Sequence, residues 1–217
     1  MGLILVHELG HFLTAYILGW NTDKIYLYPY GGISQFNIKV NTNRKEEWLV
    51  LLMGPIFQVL FYLITSNLIT NNYLQKTFYN YNYFILFFNL LPIYPLDGGR
   101  IFLLIKSYFK SYKSSFYNTI YISYLLFFLL SIYFLITKSL FFLIVILFLI
   151  IKTKKEKQMF PFTFHKFIIE RTLYTFNFKR RKVIDNKDDM MLDTLHYFKT
   201  KNGIKSEKDY LLNHKKI

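Results

Sequence analysis

Five residues near the start of the chain, His7-Glu8-Leu9-Gly10-His11, combine types and spacing suited to metal-dependent hydrolysis. Residues four apart on a helix share a face, so His7 and His11 can turn two imidazole nitrogens toward one metal ion. Glu8, beside them, offers a carboxylate that could take a proton from water activated by that metal. The competing reading is a solvated helix face with three polar side chains. The neighbours argue against it, because Leu3, Ile4, Leu5, Phe12, Leu13, Tyr16 and Ile17 are all apolar. Ionisable groups in so apolar a helix are costly without a shared partner, and a metal supplies one.

A third ligand has to come from elsewhere. The chain has no cysteine, which excludes a thiolate site and a disulfide framework. Residues 1–151 contain five acids; Asp23, Glu46 and Glu47 fall in a polar connection, and only Glu8 and Asp97 in apolar segments. Asp97 is therefore the preferred third protein ligand of the metal. Its alternatives are a turn-forming Asp in Asp97-Gly98 or an ion pair with Arg100. It lies in Asn89-Leu90-Leu91-Pro92-Ile93-Tyr94-Pro95-Leu96-Asp97-Gly98-Gly99-Arg100, where two prolines and two glycines interrupt an apolar run. Irregular backbone at membrane depth is tolerated only beside a cavity or inside protein.

The elements that must position these residues follow from the distribution of charge. The 217 residues are 53% hydrophobic and carry a formal charge of +14, yet 17 of the 27 Lys and Arg lie beyond residue 151. This predicts an all-α, polytopic transmembrane bundle over 1–151 and a basic cytoplasmic tail over 152–217. About five spans are expected, near 1–19, 48–70, 81–105 (broken), 116–136 and 140–151. Gly54-Pro55 inside the second predicts a kink or close helix packing. Ile25–Tyr28 and Ile33–Ile38, separated by Pro29-Tyr30-Gly31-Gly32, predict a hairpin. Gly31 and Gly32 would let backbone approach an extended peptide, or would simply make a turn. In the tail, Pro161 should break the chain, 162–178 should lie against headgroups, and an amphipathic helix is expected near Met190–Tyr197.

Basic loops at 20–46 and 106–113 alternate with loops carrying one charge each, at Lys76 and Lys138, which places the basic regions and the tail in the cytoplasm. Positive charge after apolar spans reports that orientation and anionic lipid rather than nucleic acid. No secretory signal peptide is present, and His7, only six residues from the start, predicts further residues upstream.

With these residues in hand, the chain resembles the site-2 proteases, intramembrane zinc metalloproteases, and most of all the stage IV sporulation protein FB group. The resemblance is carried by His7-Glu8-Leu9-Gly10-His11, Pro29-Tyr30-Gly31-Gly32, Gly54-Pro55 and Asn89-Leu90-Leu91-Pro92 through Asp97-Gly98-Gly99-Arg100, in order over residues 1–105. His165–Arg171 is similar to the start of that group's cytosolic region. The resemblance implies a zinc on His7, His11 and Asp97, Glu8 as general base, Asn89 near the substrate, and a hairpin with Gly31 and Gly32 guiding an unwound peptide. The implied partners are a membrane-associated protein substrate such as a sigma-factor precursor, the lipid bilayer, and regulatory membrane proteins. Two rival classes remain: a metal-binding membrane protein without catalysis, as a degenerate protease or transporter, and an anchored binding protein acting through its basic tail.

Overall fold

The computed structural model describes residues 2–20, 22–28, 31–36, 40–138, 140–200 and 203–213. The chain divides into two compact units, Met1–Ile38 with Thr42–Leu91, and Lys39–Asn41 with Pro92–Ile217. The helix that crosses residue 151 is continuous.

The first unit contains α1 (Gly2–Ile17), a hairpin of β1 (Thr22–Tyr28) and β2 (Gly31–Phe36), α2 (Arg44–Ser66) and α3 (Asn72–Asn89). The hairpin is antiparallel, pairing Tyr28 with Gly31 and Tyr26 with Ile33. Gly31 and Gly32 thus open the second strand instead of forming the turn. Pro29, Tyr30, Asn37 and Ile38 lie outside the described residues. Asn43 caps α2 by accepting from the Lys45 N–H, and Glu46 and Glu47 occupy the first turn, where the helix dipole favours acids. Gly54-Pro55 does not break α2, which runs through both residues.

α1 and α2 pack along each other, and Gly10 and Gly54 are what allow it. A Cβ at Gly10 would run into the Met53 carbonyl, and one at Gly54 would sit on the His11 ring. Small residues at a helix crossing let two backbones approach closely, which is how helices associate where apolar burial offers no drive. The outer faces are the apolar ones: Leu5, Leu9 and Leu13 on α1 and Leu52, Ile56, Leu60 and Leu63 on α2 are exposed.

The second unit contains α4 (Asp97–Ser107), α5 (Tyr112–Thr137), α6 (Leu140–Leu173), strands β3 (Arg180–Ile184), β4 (Thr194–Thr200) and β5 (Gly203–Ser206), and α7 (Glu207–Asn213). β4 is central, parallel to β3 and antiparallel to β5. The expected break at Pro161 is absent, and α6 extends to Leu173. The reason lies in Phe160, Phe164 and Phe167, which share a helix face and are buried with Tyr112, Phe116, Ile120 and Phe198. Burying three phenylalanines at about 1.5–3 kcal/mol each outweighs an interior proline at about 3 kcal/mol. Residues 162–173 are therefore helical, with Phe164, Phe167, Glu170 and Arg171 buried on one face and Phe162, Ile169 and Leu173 exposed on the other. The helix expected at 190–197 is likewise replaced by β4, in which Thr194, His196 and Phe198 are buried and alternate with more exposed neighbours.

A buried polar hub joins α6 to this small sheet. Glu170 accepts from the Val40 and Asn41 backbone N–H groups, each at 3.0 Å. Arg171 donates to the Thr194 and Met191 carbonyls, at 3.1 and 3.0 Å, and lies 3.6 Å from Glu207.

Among the described residues two helices are long and apolar enough to cross a membrane, Arg44–Ser66 and Tyr112–Tyr133. Two of the five expected spans meet this criterion. α1 is apolar but has only 16 residues, about 24 Å at 1.5 Å per residue. α3 opens with a polar stretch from Asn72, and α4 has 11 residues.

Candidate metal centre

His7 and His11 lie one turn apart on the face of α1 that meets α2, with 2% and 7% of their surface exposed. Their Nε2 atoms are 3.2 Å apart. The hydrogen bonds at the far side of each ring decide what those atoms are. His11 Nδ1 is 2.8 Å from the Val50 carbonyl oxygen, which can only accept, so Nδ1 carries the proton.

The same conclusion holds for His7 by one further step. Its Nδ1 is 2.9 Å from Gln58 Oε1. Gln58 Nε2 donates to the Asn82 backbone carbonyl and to Asn82 Oδ1, each at 3.0 Å. A backbone carbonyl cannot donate, so the Gln58 amide has its NH2 toward Asn82 and its oxygen toward His7. His7 Nδ1 is therefore the donor.

With both Nδ1 atoms protonated, each ring in its neutral form turns a lone pair toward the same small volume. Two such lone pairs 3.2 Å apart repel unless a proton or a metal ion lies between them. The donor set, buried neutral imidazoles each held by an acceptor behind, fits zinc, whose histidine ligands carry that second hydrogen bond.

Glu8 follows His7 on α1 and is partly buried. Asn89 is the last residue of α3 and also partly buried. Gly31 and Gly32 are in β2, an element that runs beside α1. Asp97 belongs to the second unit, as the first residue of α4, where the helix dipole favours a carboxylate.

The irregular segment before Asp97 has its backbone satisfied from within that unit. The Tyr94 N–H donates to Ser123 Oγ on α5 at 2.9 Å, and the Tyr94 carbonyl accepts from Thr153 on α6. Ile93 is fully buried, and Gly99 packs so closely on Ile93 and Tyr94 that a Cβ there would collide with their backbone. The expectation that this break needs protein around it is met by two hydroxyls.

Sequence reasoning missed Gln58 and Asn82. The signal available was an uncharged amide inside an apolar run, which is expensive in lipid unless it has a task.

These features define a class. The family model for Peptidase family M50 matches residues 1–80 and 64–132, and the chain belongs to that family, the site-2 proteases. Two curated relatives lie close by. Stage IV sporulation protein FB of Bacillus subtilis is 35% identical over 109 residues, covering 48% of this chain and 38% of that protein. A zinc metalloprotease of Methanocaldococcus jannaschii is 33% identical over 121 residues, covering 51% and 35%. The aligned regions thus span little more than a third of those relatives. Among solved structures, the site-2 protease from M. jannaschii superposes with a TM-score of 0.57 at 27% identity, over 71% of this chain and 73% of that one.

Proposed function

We propose that this chain is an intramembrane zinc metalloprotease cutting membrane-associated proteins. The observation that carries the reading is the pair of buried Nε2 atoms 3.2 Å apart, on rings held from behind by Val50 and Gln58. His7, His11 and Asp97 would hold one zinc, and family membership supports that choice of metal. Zinc, when bound, supplies the Lewis acidity that turns water into a nucleophile near neutral pH.

The chain's own groups do the rest. Glu8 takes a proton from the attacking water on its carboxylate and returns it to the departing amide nitrogen. A substrate helix hides its amides in internal hydrogen bonds, so the cut segment has to be unwound. The hairpin, at Gly31 and Gly32, would accept it by strand addition, with Asn89 holding a backbone group of the peptide. Residues 1–151 form the protease domain in a bundle of about five spans. Residues 152–217 form a basic cytoplasmic region, and the cell membrane is the location. The likeness to stage IV sporulation protein FB supports a sigma-factor precursor as substrate and regulatory membrane proteins as partners.

Glu8→Gln tests the mechanism, because it keeps the shape and removes the base. The chain is co-expressed with a sigma-factor precursor and the shorter product is followed. The expected outcome is retained zinc with cleavage slowed about 10²- to 10⁴-fold. Cleavage at the wild-type rate would rule out the Glu8 mechanism and return a non-catalytic metal protein to the front.

A further inference from the structure

We infer that Gln58 is a positioning residue that sets the His7 tautomer and so selects Nε2 as its metal-facing atom, with Asn82 locking the Gln58 amide. The inference rests on the metal-centre reading above and adds two residues to it.

The two histidines are held in unlike ways. His11 leans on the carbonyl of Val50, which no side-chain substitution removes. His7 leans on a side chain that can be changed. Gln58 is completely buried on α2, where a polar amide among leucines costs several kcal/mol unless its groups are paired. Its oxygen and its NH2 group are both used, with 2.9 and 3.0 Å contacts. Turning the amide over would set its oxygen against the Asn82 carbonyl and Oδ1 and its NH2 against His7. That would leave two acceptors facing each other. The orientation is thus fixed from Asn82 through Gln58 to His7, across three helices of one unit.

The consequence is chemical. An imidazole without an acceptor at Nδ1 can place its single proton on Nε2, where it competes directly with a metal. With Gln58 behind it, that tautomer is disfavoured and the lone pair faces His11. Partners of this kind typically contribute a factor of 10–100 in metal affinity.

The test measures zinc affinity of the detergent-solubilised chain by competition with a chromophoric chelator, and the visible absorption of the cobalt-loaded chain. Gln58→Met keeps the length and removes the acceptor, and should weaken zinc about 10- to 100-fold with an altered cobalt spectrum. Gln58→Glu, entering as the neutral acid with its O–H toward the Asn82 carbonyl, still accepts from Nδ1–H and should bind zinc close to wild type. Asn82→Leu should fall between, since the residue 82 carbonyl still takes one amide proton. Wild-type affinity in Gln58→Met would overturn the proposal. So would an equal loss in Gln58→Met and Gln58→Glu, which would mark Gln58 as packing alone. A wild-type chain that takes up no zinc would instead overturn the metal centre itself, and a His7→Ala control reports that case separately.

Discussion

In the first unit the buried side chains include His7, His11, Thr14, Gln58 and Asn82, while Leu9, Leu13, Leu60 and Leu63 are exposed. In the carboxy-terminal part of the second unit Phe160, Phe164, Phe167, Met190 and Phe198 are buried. There Arg180, Arg181, Lys182 and Lys205 lie outside or partly so. Each arrangement makes sense only in its own solvent. Water drives phenylalanine inward, at roughly 25 cal/mol for each Å² of apolar surface removed. Lipid gives leucine no reason to hide, so helices there are joined by close backbone approach and by polar groups that need partners. Gly10 against Met53, Gly54 against His11, and the amide of Gln58 are the joints of the first kind of structure. Stacked rings, such as Phe116 on Phe160 at 3.8 Å, are the joints of the second. His7 and His11 belong to the first kind, in an interior that is dry and polar.

The largest effect that would test this contrast comes from the aromatic core. Phe167→Ala removes a fully buried ring that touches Tyr112 and Phe164 and lies under the Arg171 guanidinium. The expected loss is about 3–5 kcal/mol, read as faster amide hydrogen exchange in β4. Zinc affinity of the chain that remains folded should stay close to wild type, because Phe167 touches neither histidine and bears on Asp97 only through the fold of the second unit. A parallel loss of zinc would mean that the two kinds of packing are not independent.

A smaller effect compares one substitution in the two solvents. Leu60 on α2 and Leu212 on α7 are similarly exposed, at 51% and 42%. If lipid surrounds α2, Leu60→Asp should cost about 2.5–3.5 kcal/mol, as for an acid near the middle of a span. Leu212→Asp should stay within about 0.5 kcal/mol, as for an ordinary wet surface. Insertion yield and thermal unfolding in detergent read both. Equal, small costs at the two positions would remove the membrane reading of α2.

The contrast also explains what was legible in the sequence. The His-Glu-x-x-His spacing needs only helix geometry and an apolar context, so the pairing of His7 with His11 could be read directly. The interruption at 90–96 was equally readable, since prolines and glycines act locally. Pro161 misled for the same reason: its local cost is real, but three phenylalanines on one face overrule it through contacts distant in sequence. β4 was misread as a helix because Met190–Leu192, buried by tertiary packing, blurred the alternation that starts at Thr194. Gln58 carried no local signal beyond being polar, and its role exists only once Asn82 and His7 are brought to it. Asp97 was singled out by elimination among five acids, an argument from composition and not from local pattern, and its part as a ligand belongs to the proposal above.

The smallest effect concerns the wet surface of the second unit. Lys113 at the start of α5 pairs with Asp188 in the 3-10 turn Lys187–Asp189, and the two side chains are 37% and 57% exposed. Pairs this exposed contribute about 0.2–1 kcal/mol and weaken with salt. The Lys113 ammonium also lies 5.9 Å from the centre of the Phe164 ring, a cation–π contact with the buried aromatic cluster. The two contributions separate on substitution. Asp188→Ala removes only the pair, whereas Lys113→Ala removes the pair and the ring contact, about 0.5–1 kcal/mol more. The expected order is therefore Lys113→Ala costing more than Asp188→Ala, with the difference persisting at high salt while the Asp188→Ala cost fades. Equal costs at all salt concentrations would show that Phe164 does nothing for this lysine and that the aromatic core ends at the rings themselves.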